Sequence, residues 1–208
     1  MARTEHPMQA LEAYIPDGTF DLVVTYLHTH KVHLTVTKER KSVLGDYRNA
    51  VQGKNHRISV NSNLNKYAFL ITLLHELAHL LTFEQYRHKV SAHGKEWKSI
   101  YSTLLADFIL KEVFPHDITV ALKKSLHNPA ASSCAEEDLM RVLRRYDPKK
   151  EGVHLVEELP EGSLFKTSDG RIFKKGDKLR KRYRCTEVKT GLVYLFSPVY
   201  EVKLPGEN

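Results

Sequence analysis

The sequence predicts an α+β fold, with a helical domain and a small β-sheet over residues 1–150 and a small all-β module over residues 151–208. Two observations carry this prediction. Helix-like spacing of apolar residues dominates the chain up to the segment YDPKKEG, whereas short strand-like runs and frequent glycines follow it. A chain of 208 residues is long enough for one substantial core and a small module.

Two helices and three short strands are predicted at the start of the chain. The segments MQALEAYI and TFDLVVTYLHTH have helical spacing, and Thr19 stands at the N-cap position of the second. Val32, Leu34 and Val36 alternate with polar residues, which predicts a strand. SVLGDYR is interpreted as a return strand and HRISVNS as a third strand. A small sheet is therefore expected after the N-terminal helices.

Four helices are predicted next. The first, from about Leu64 to Gln85, is apolar nearly all round and is expected to be the buried central helix. The segment GKEWKSIYSTLLADFILKEVF is a long amphipathic helix that Pro115 ends, and ITVALKKSLHNP is a shorter one. In SCAEEDLMRVLRRYD, Ser133 and Glu136 have the spacing of a capping box. After these helices, SDG and KTG predict hairpin turns in a module of about five strands.

The composition indicates a cytoplasmic protein. Two cysteines cannot form a disulfide framework, and neither lies in a CxxC pair. The N-terminal residues lack the apolar core of a signal peptide, and the longest apolar run is too short and too polar at its centre to span a bilayer. The net charge of +7 favours acidic partners such as nucleic acid.

The segment LITLLHELAHLLTF contains the motif HExxH inside an apolar run. Positions i and i+4 share one face of a helix, so His75 and His79 can point at one metal ion. Glu76 can take a proton from a metal-activated water and deliver it to the leaving amine. A chance match would leave two imidazoles and an unpaired carboxylate buried, which is costly. We therefore interpret the motif as a site for one Zn²⁺ ion.

A hydrolytic zinc site needs a third protein ligand and one open position. A histidine six residues after His79 would indicate the metzincin pattern, but Gln85 occupies that position. His93, in SAHGKEW, and Glu96 are the alternatives. Spacing favours His93, because a ligand at the start of the next helix can fold back onto the first helix. His88 lies in a charged segment and is expected to be a solvated surface residue.

The motif HELAH is followed by HGKEW and preceded by LGDYR and ISVNSNL. This combination resembles the SprT-like (Spartan-related) zinc metallopeptidase family over about residues 10–110. The resemblance implies a zincin-like domain that cleaves proteins or peptides, including DNA-crosslinked proteins, with Glu76 as the general acid/base. It also implies that Trp97 packs beneath the site. The implied metal ligands are His75, His79 and His93.

The C-terminal module departs from one feature of the family. Several relatives end in a zinc ribbon with two cysteine pairs, whereas here Cys185 has no partner two or three residues on. A closed structural zinc site needs four thiolates or a Cys/His mixture. We therefore expect a metal-free module, with Cys185, like Cys134, as a small buried hydrophobic residue.

Residues 166–189 carry ten basic and three acidic residues. Alternation along KLRKRYRC predicts that four cations lie on one strand face, where they can neutralise phosphates without reading sequence. Phe173 and Tyr183 interleave with these cations and are predicted to stack on bases. The alternative is a solvated face or a charged sheet edge. The predicted DNA-facing residues are Lys178, Arg180, Arg182 and Arg184.

Three functions follow from these motifs. The first is a zinc endopeptidase, acting on proteins associated with or crosslinked to nucleic acid. The second is a metal-binding pseudoenzyme that binds nucleic acid or protein through the β module. The third is a metal hydrolase with a non-peptide substrate. Glu76 argues against the second, because a scaffold that only holds zinc needs no base beside its ligand.

Overall fold

The structure, a computed structural model, describes residues 8–40, 42–51 and 53–206. The chain divides into two compact units, unit 1 (Met1–Asp147) and unit 2 (Pro148–Asn208). Helices and a small sheet form unit 1 and a second sheet forms unit 2, which confirms the predicted α+β class with a separate all-β sheet.

Unit 1 contains five α-helices and three strands in its described part, preceded by a 3₁₀ helix at Met8–Ala13. The helices are α1 (Phe20–Thr29), α2 (Lys66–Tyr86), α3 (Lys95–Leu110), α4 (His116–Ser125) and α5 (Glu137–Leu143). The strands are β1 (Val32–Thr37), β2 (Gly45–Arg48) and β3 (His56–Asn61).

Helix α2 is the centre of unit 1. Every residue from Ala68 to Ala78 is buried, as expected for a helix that is apolar nearly all round. Its N-cap residue is Asn65, whose side-chain oxygen accepts hydrogen bonds from the backbone N–H groups of Tyr67 and Ala68. None of the helices in the described ranges, α2 included, is long and apolar enough to cross a membrane.

The small sheet differs from the expected order of strands. We expected β2 to return beside β1, but β3 lies between them, parallel to β1 and antiparallel to β2. The central position goes to the most buried strand, since Ile58 and Val60 of β3 are almost fully buried. Strands β1 and β2 are the two edges of this sheet, and β2 and β3 pack on α2, so β2 is an edge strand that lies against the helix.

One predicted helix end is confirmed and another is wrong. Thr19 is the N-cap residue of α1 as predicted, although its hydroxyl donates a hydrogen bond to the Pro16 carbonyl (2.6 Å) and accepts none from the helix. Helix α3 ends at Leu110, before Pro115 is reached, and Glu112 beyond it adopts a left-handed φ of 56°.

The predicted capping box of α5 does not form either. The N-cap residue of α5 is Glu136, where Ser133 was expected. The carboxylate of Glu136 instead accepts a hydrogen bond from the backbone N–H of Ala130 (3.0 Å), which ties the preceding loop to the helix start.

Unit 2 is a six-stranded sheet of order β4-β9-β5-β6-β7-β8. One face covers a core that includes Phe165, Phe173 and Cys185. Cys185 is fully buried and Cys134 is buried in unit 1, as predicted for both thiols. The strands are β4 (Val153–Leu155), β5 (Leu164–Lys166), β6 (Ile172–Leu179), β7 (Arg182–Glu187), β8 (Val193–Phe196) and β9 (Glu201–Lys203).

The hairpins of unit 2 show that the four predicted cations do not all lie on one strand face. SDG and KTG do connect β5 to β6 and β7 to β8. A third hairpin, however, turns the chain at Arg180, which has a φ of 43°, so residues 178–184 are not one strand. Lys178 pairs with Tyr183 and lies on the face opposite Arg182 and Arg184.

The predicted role of Phe173 is also wrong. Phe173 is fully buried in the core of unit 2, so it cannot stack on bases. Tyr183 is half-buried and lies beneath the ammonium group of Lys175, 4.1 Å from ring centroid to nitrogen. Lys175 is itself buried and donates a hydrogen bond to the Leu159 carbonyl, so it is not available to a phosphate.

Four cations, two of which belong to the predicted set, do share one exposed sheet face. We call this the basic face, and its strand register alternates cations with exposed aliphatic side chains. Arg184 lies 3.6 Å from a carboxylate oxygen of Asp177. The other three cations have no ion-pair partner within the described part of the chain. The basic face consists of Lys166, Lys174, Arg182 and Arg184 with Leu164, Ile172, Val193 and Leu195.

Replacing Asn65 by alanine is expected to destabilise unit 1, because two backbone N–H groups in the first turn of α2 lose their acceptor. The expected loss is about 1–2 kcal/mol in the free energy of unfolding. Denaturant unfolding followed by the fluorescence of Trp97, the single tryptophan, measures it. Asn63→Ala, at an exposed position before the same helix, is the control and should cost less than about 0.5 kcal/mol. Equal losses would contradict the capping role.

Candidate metal centre

Three histidines of unit 1 converge on one point. His75 and His79 lie one helical turn apart on α2 and therefore share a face. His93 precedes the N-cap Gly94 of α3, at the start of the next helix. One ring nitrogen from each histidine lies within 4.8 Å of the other two. Within the described ranges, this is the single group of His, Cys, Asp or Glu side chains found with such spacing.

The spacing fits a metal ion. The Nε2 atoms of His75 and His79 are 3.3 Å apart. Two nitrogens bound to one tetrahedral zinc at about 2.0–2.1 Å would lie about 3.3–3.4 Å apart, which is the observed separation. The Nε2 atom of His93 is buried and has no hydrogen-bond partner among the described residues, so a bound cation would satisfy it. The group can therefore bind a metal.

Burial keeps these imidazoles in the form that binds metal. Burial, and then the neighbouring His79 and His93, lower the pKa of His75 to about 3. Burial and His93 lower the pKa of His79 to about 4. Burial and Lys98 also lower the pKa of His93. All three rings are therefore neutral at physiological pH, with a free lone pair for a cation.

Two aromatic side chains pack beneath the three imidazole rings. The fully buried indole of Trp97 lies 4.7, 5.2 and 4.7 Å from the ring centroids of His75, His79 and His93. Tyr101 stacks on Trp97 at 5.0 Å. Both aromatic residues come from α3, and His93 lies just before the N-cap of the same helix. The packing predicted for Trp97 is confirmed.

Glu76 is buried beside the histidines. Its exposed fraction is 5%, and it faces β2, where its side chain lies against Gly45. Burial, and then the charge of Asp46, raise the pKa of Glu76 to about 8, whereas Arg40 lowers it. The buried carboxyl is thus easily protonated, and a neighbouring dication would favour its ionised form again.

A cleft of about 660 Å³ opens over these residues. One wall is β2 and the residues before it, and the other comprises the segments after α2 and before α5. Sequence reasoning missed this β2 wall, although LGDYR belongs to the motif that carried the family resemblance. Among the residues that line the cleft are Gly45, Asp46, Tyr47, His75, Glu76, His79, Arg87, His88, His93, Ser132 and Ser133.

The two alternative ligands lie elsewhere. His88 lines the cleft and is exposed, but it is not part of the group of three histidines. Glu96 is also outside that group, and one of its carboxylate oxygens lies 3.9 Å from the ammonium nitrogen of Lys95. The geometry therefore favours His93 over both as a partner of His75 and His79.

Comparison with known proteins gives one family match. No curated protein and no solved structure matches the chain. The model described as the SprT-like family matches residues 9–119, which is more than half of the chain. The matched range contains β2, α2 and α3, and with them Glu76 and all three histidines. The chain therefore belongs to the SprT-like family.

Proposed function

We propose that the protein is a zinc-dependent endopeptidase with a zincin-like site. One observation carries the proposal: three neutral histidines with metal-ligand spacing lie beside a buried glutamate at the foot of a cleft that an edge strand borders. His75, His79 and His93 would hold the ion. When bound, zinc acts as a Lewis acid that activates water and polarises the scissile carbonyl.

Glu76 carries the proton transfers in this proposal. It follows His75 directly in the helix, so its carboxylate can reach a water at the same ion. The carboxylate accepts the proton of the attacking water and then delivers it to the leaving amine, whose release completes hydrolysis.

The edge strand suggests how a substrate lies. Strand β2 pairs with β3 on one side, and its other side borders the cleft. Unpaired backbone groups on an edge strand can hydrogen-bond an extended peptide. A flexible protein segment could then pass along β2 and over Glu76, which favours a peptide substrate over a small molecule.

Zinc binding should depend on His93. We expect the wild-type protein to bind about one zinc ion per chain. His93→Ala should weaken that affinity on the order of 100-fold or more, beyond the effect of losing a residue that only supports a ligand. Competition with a chromophoric chelator measures both values. His88→Ala is the matched control, since His88 lines the same cleft outside the histidine group, and an equal loss in both variants would contradict the assignment.

Peptide hydrolysis should depend on Glu76. Glu76→Gln removes the proton acceptor and is expected to lower the rate on the order of 10²–10⁴-fold while zinc affinity is retained. The assay follows cleavage of a flexible, basic, DNA-binding protein by gel and mass spectrometry, with and without single-stranded DNA. Glu96→Gln should cleave like the wild type. If zinc-loaded wild type cleaves nothing, the peptidase proposal fails and the pseudoenzyme becomes the better explanation.

The basic face of unit 2 supports a second part of the proposal, recruitment to DNA. Its cations stand among aliphatic side chains on one sheet face, and Lys166, Lys174 and Arg182 have no ion-pair partner in the described structure. Such a surface can neutralise phosphates without distinguishing bases. The peptidase would thereby act on proteins that are bound or crosslinked to DNA.

Removing two of these cations should weaken DNA binding and make the remaining binding less dependent on salt. Lys174→Ala combined with Arg182→Ala is expected to lower affinity for single-stranded DNA and to reduce the slope of log K against log salt by about 1.4. Fluorescence anisotropy at several salt concentrations measures both quantities. Lys111→Ala combined with Lys123→Ala removes the same charge from exposed positions of unit 1. If this control lost as much affinity, net charge and not the basic face would explain binding.

A further inference from the structure

Gly45 lies against the side chain of Glu76. A Cβ atom built on Gly45 would lie 2.6 Å from Oε1 and 2.8 Å from Cγ of Glu76. It would also lie 2.8 Å from Cγ2 of Thr72, one helical turn earlier on α2. Contacts below 3.0 Å require atoms to move. The glutamate therefore occupies the space that any other residue at position 45 would fill.

The backbone conformation at position 45 does not require a glycine. Gly45 begins β2 and is not among the glycines with positive φ. An alanine could adopt the same conformation, and in a strand it would lose less entropy on folding than glycine does. The requirement for glycine at this position therefore comes from the close approach of α2.

The surroundings decide which atoms would move. Thr72 is β-branched, fully buried and on the central helix, so it cannot easily turn aside. Strand β2 could move outward, but Gly45 pairs with Val60, which is fully buried. The carboxylate of Glu76, at the end of a side chain that borders the cleft, is the group that would be displaced at the lowest cost.

We propose that Gly45 is a positioning residue for Glu76: its missing side chain lets the edge strand hold the carboxylate beside the metal-binding histidines. The carboxylate lies between β2 and α2. Any side chain at position 45 turns it away without touching the three imidazoles. This inference rests on the proposed peptidase function.

Gly45→Ala tests the proposal by kinetics. We expect kcat for a quenched fluorescent peptide to fall by about 100-fold or more, the size of effect expected from a misplaced catalytic group. Zinc affinity should not change, since the three histidines are not altered. An active variant with the kcat of the wild type would overturn the proposal, whereas an inactive wild type would overturn the peptidase function itself.

A double-mutant cycle on stability gives a readout that needs no activity. Gly45→Ala should lower the Tm of unit 1 by about 4 °C or more when Glu76 is present. In a Glu76→Ala background the same substitution should lower Tm less, because two of the three atoms that the new Cβ meets are absent and only Cγ2 of Thr72 remains. If Gly45→Ala alone fails to fold, folding of the double variant shows the same coupling. An equal Tm loss in both backgrounds would overturn the proposal.

A glycine in unit 2 supplies the matched control. Gly176 lies in β6, and a Cβ there would be 2.7 Å from the backbone oxygen of Arg184. Gly176→Ala thus creates a similar conflict in a strand that is far along the chain from the histidines. We expect it to leave kcat for the peptide unchanged and to show no Tm coupling to Glu76→Ala. A loss of kcat equal to that of Gly45→Ala would mean that strand strain, and not the position of Glu76, causes the effect.

Discussion

The site depends on the burial of two polar side chains, His75 and Glu76, in the central helix of unit 1. The part of α2 from Ala68 to Ala78 is buried, so His75 and Glu76 lose most of their contact with water. Loss of hydration favours neutral forms, which puts the pKa of His75 at about 3 and that of Glu76 at about 8. The same burial that prepares the imidazoles for a cation thus leaves the carboxyl easily protonated. A dication bound at the histidines would accept the lone pairs of the imidazoles and would favour the ionised form of Glu76.

Burial of α2 also determines what surrounds the site. A helix that is apolar nearly all round must bury most of its surface, so elements pack on both sides of its polar residues. Strand β2 supplies one side with Gly45, and α3 supplies the other with His93 and Trp97. The core and the site are therefore built by the same contacts, and a change that loosens α2 will disturb the histidines and the glutamate together.

The sequence predicts those parts of the molecule that depend on local spacing. The shared face of His75 and His79 follows from helix geometry, and the apolar pattern predicts α2 to within two residues at its start. Pairing between strands is not local, so β3 between β1 and β2 was not foreseen. The alternation along KLRKRYRC predicts one continuous strand, because no glycine indicates the turn at Arg180. The prediction for Lys178 therefore places it on the wrong face. The close approach at Gly45 depends on tertiary packing, which a lone glycine does not reveal.

The histidines with Glu76 and the basic face lie in different units and have different physical requirements. The match ends at residue 119, before α5 and all of unit 2, and the histidines and Glu76 lie inside it. The proposed chemistry in unit 1 needs a fixed, largely buried environment, whereas the exposed cations of unit 2 would bind phosphates at the surface and would be screened by salt. On that proposal, salt would change how much substrate is recruited without changing the catalytic step on a bound peptide. Because the aromatic Phe173 is buried and the basic face offers cations and aliphatic groups, recruitment would follow phosphate charge and not base identity.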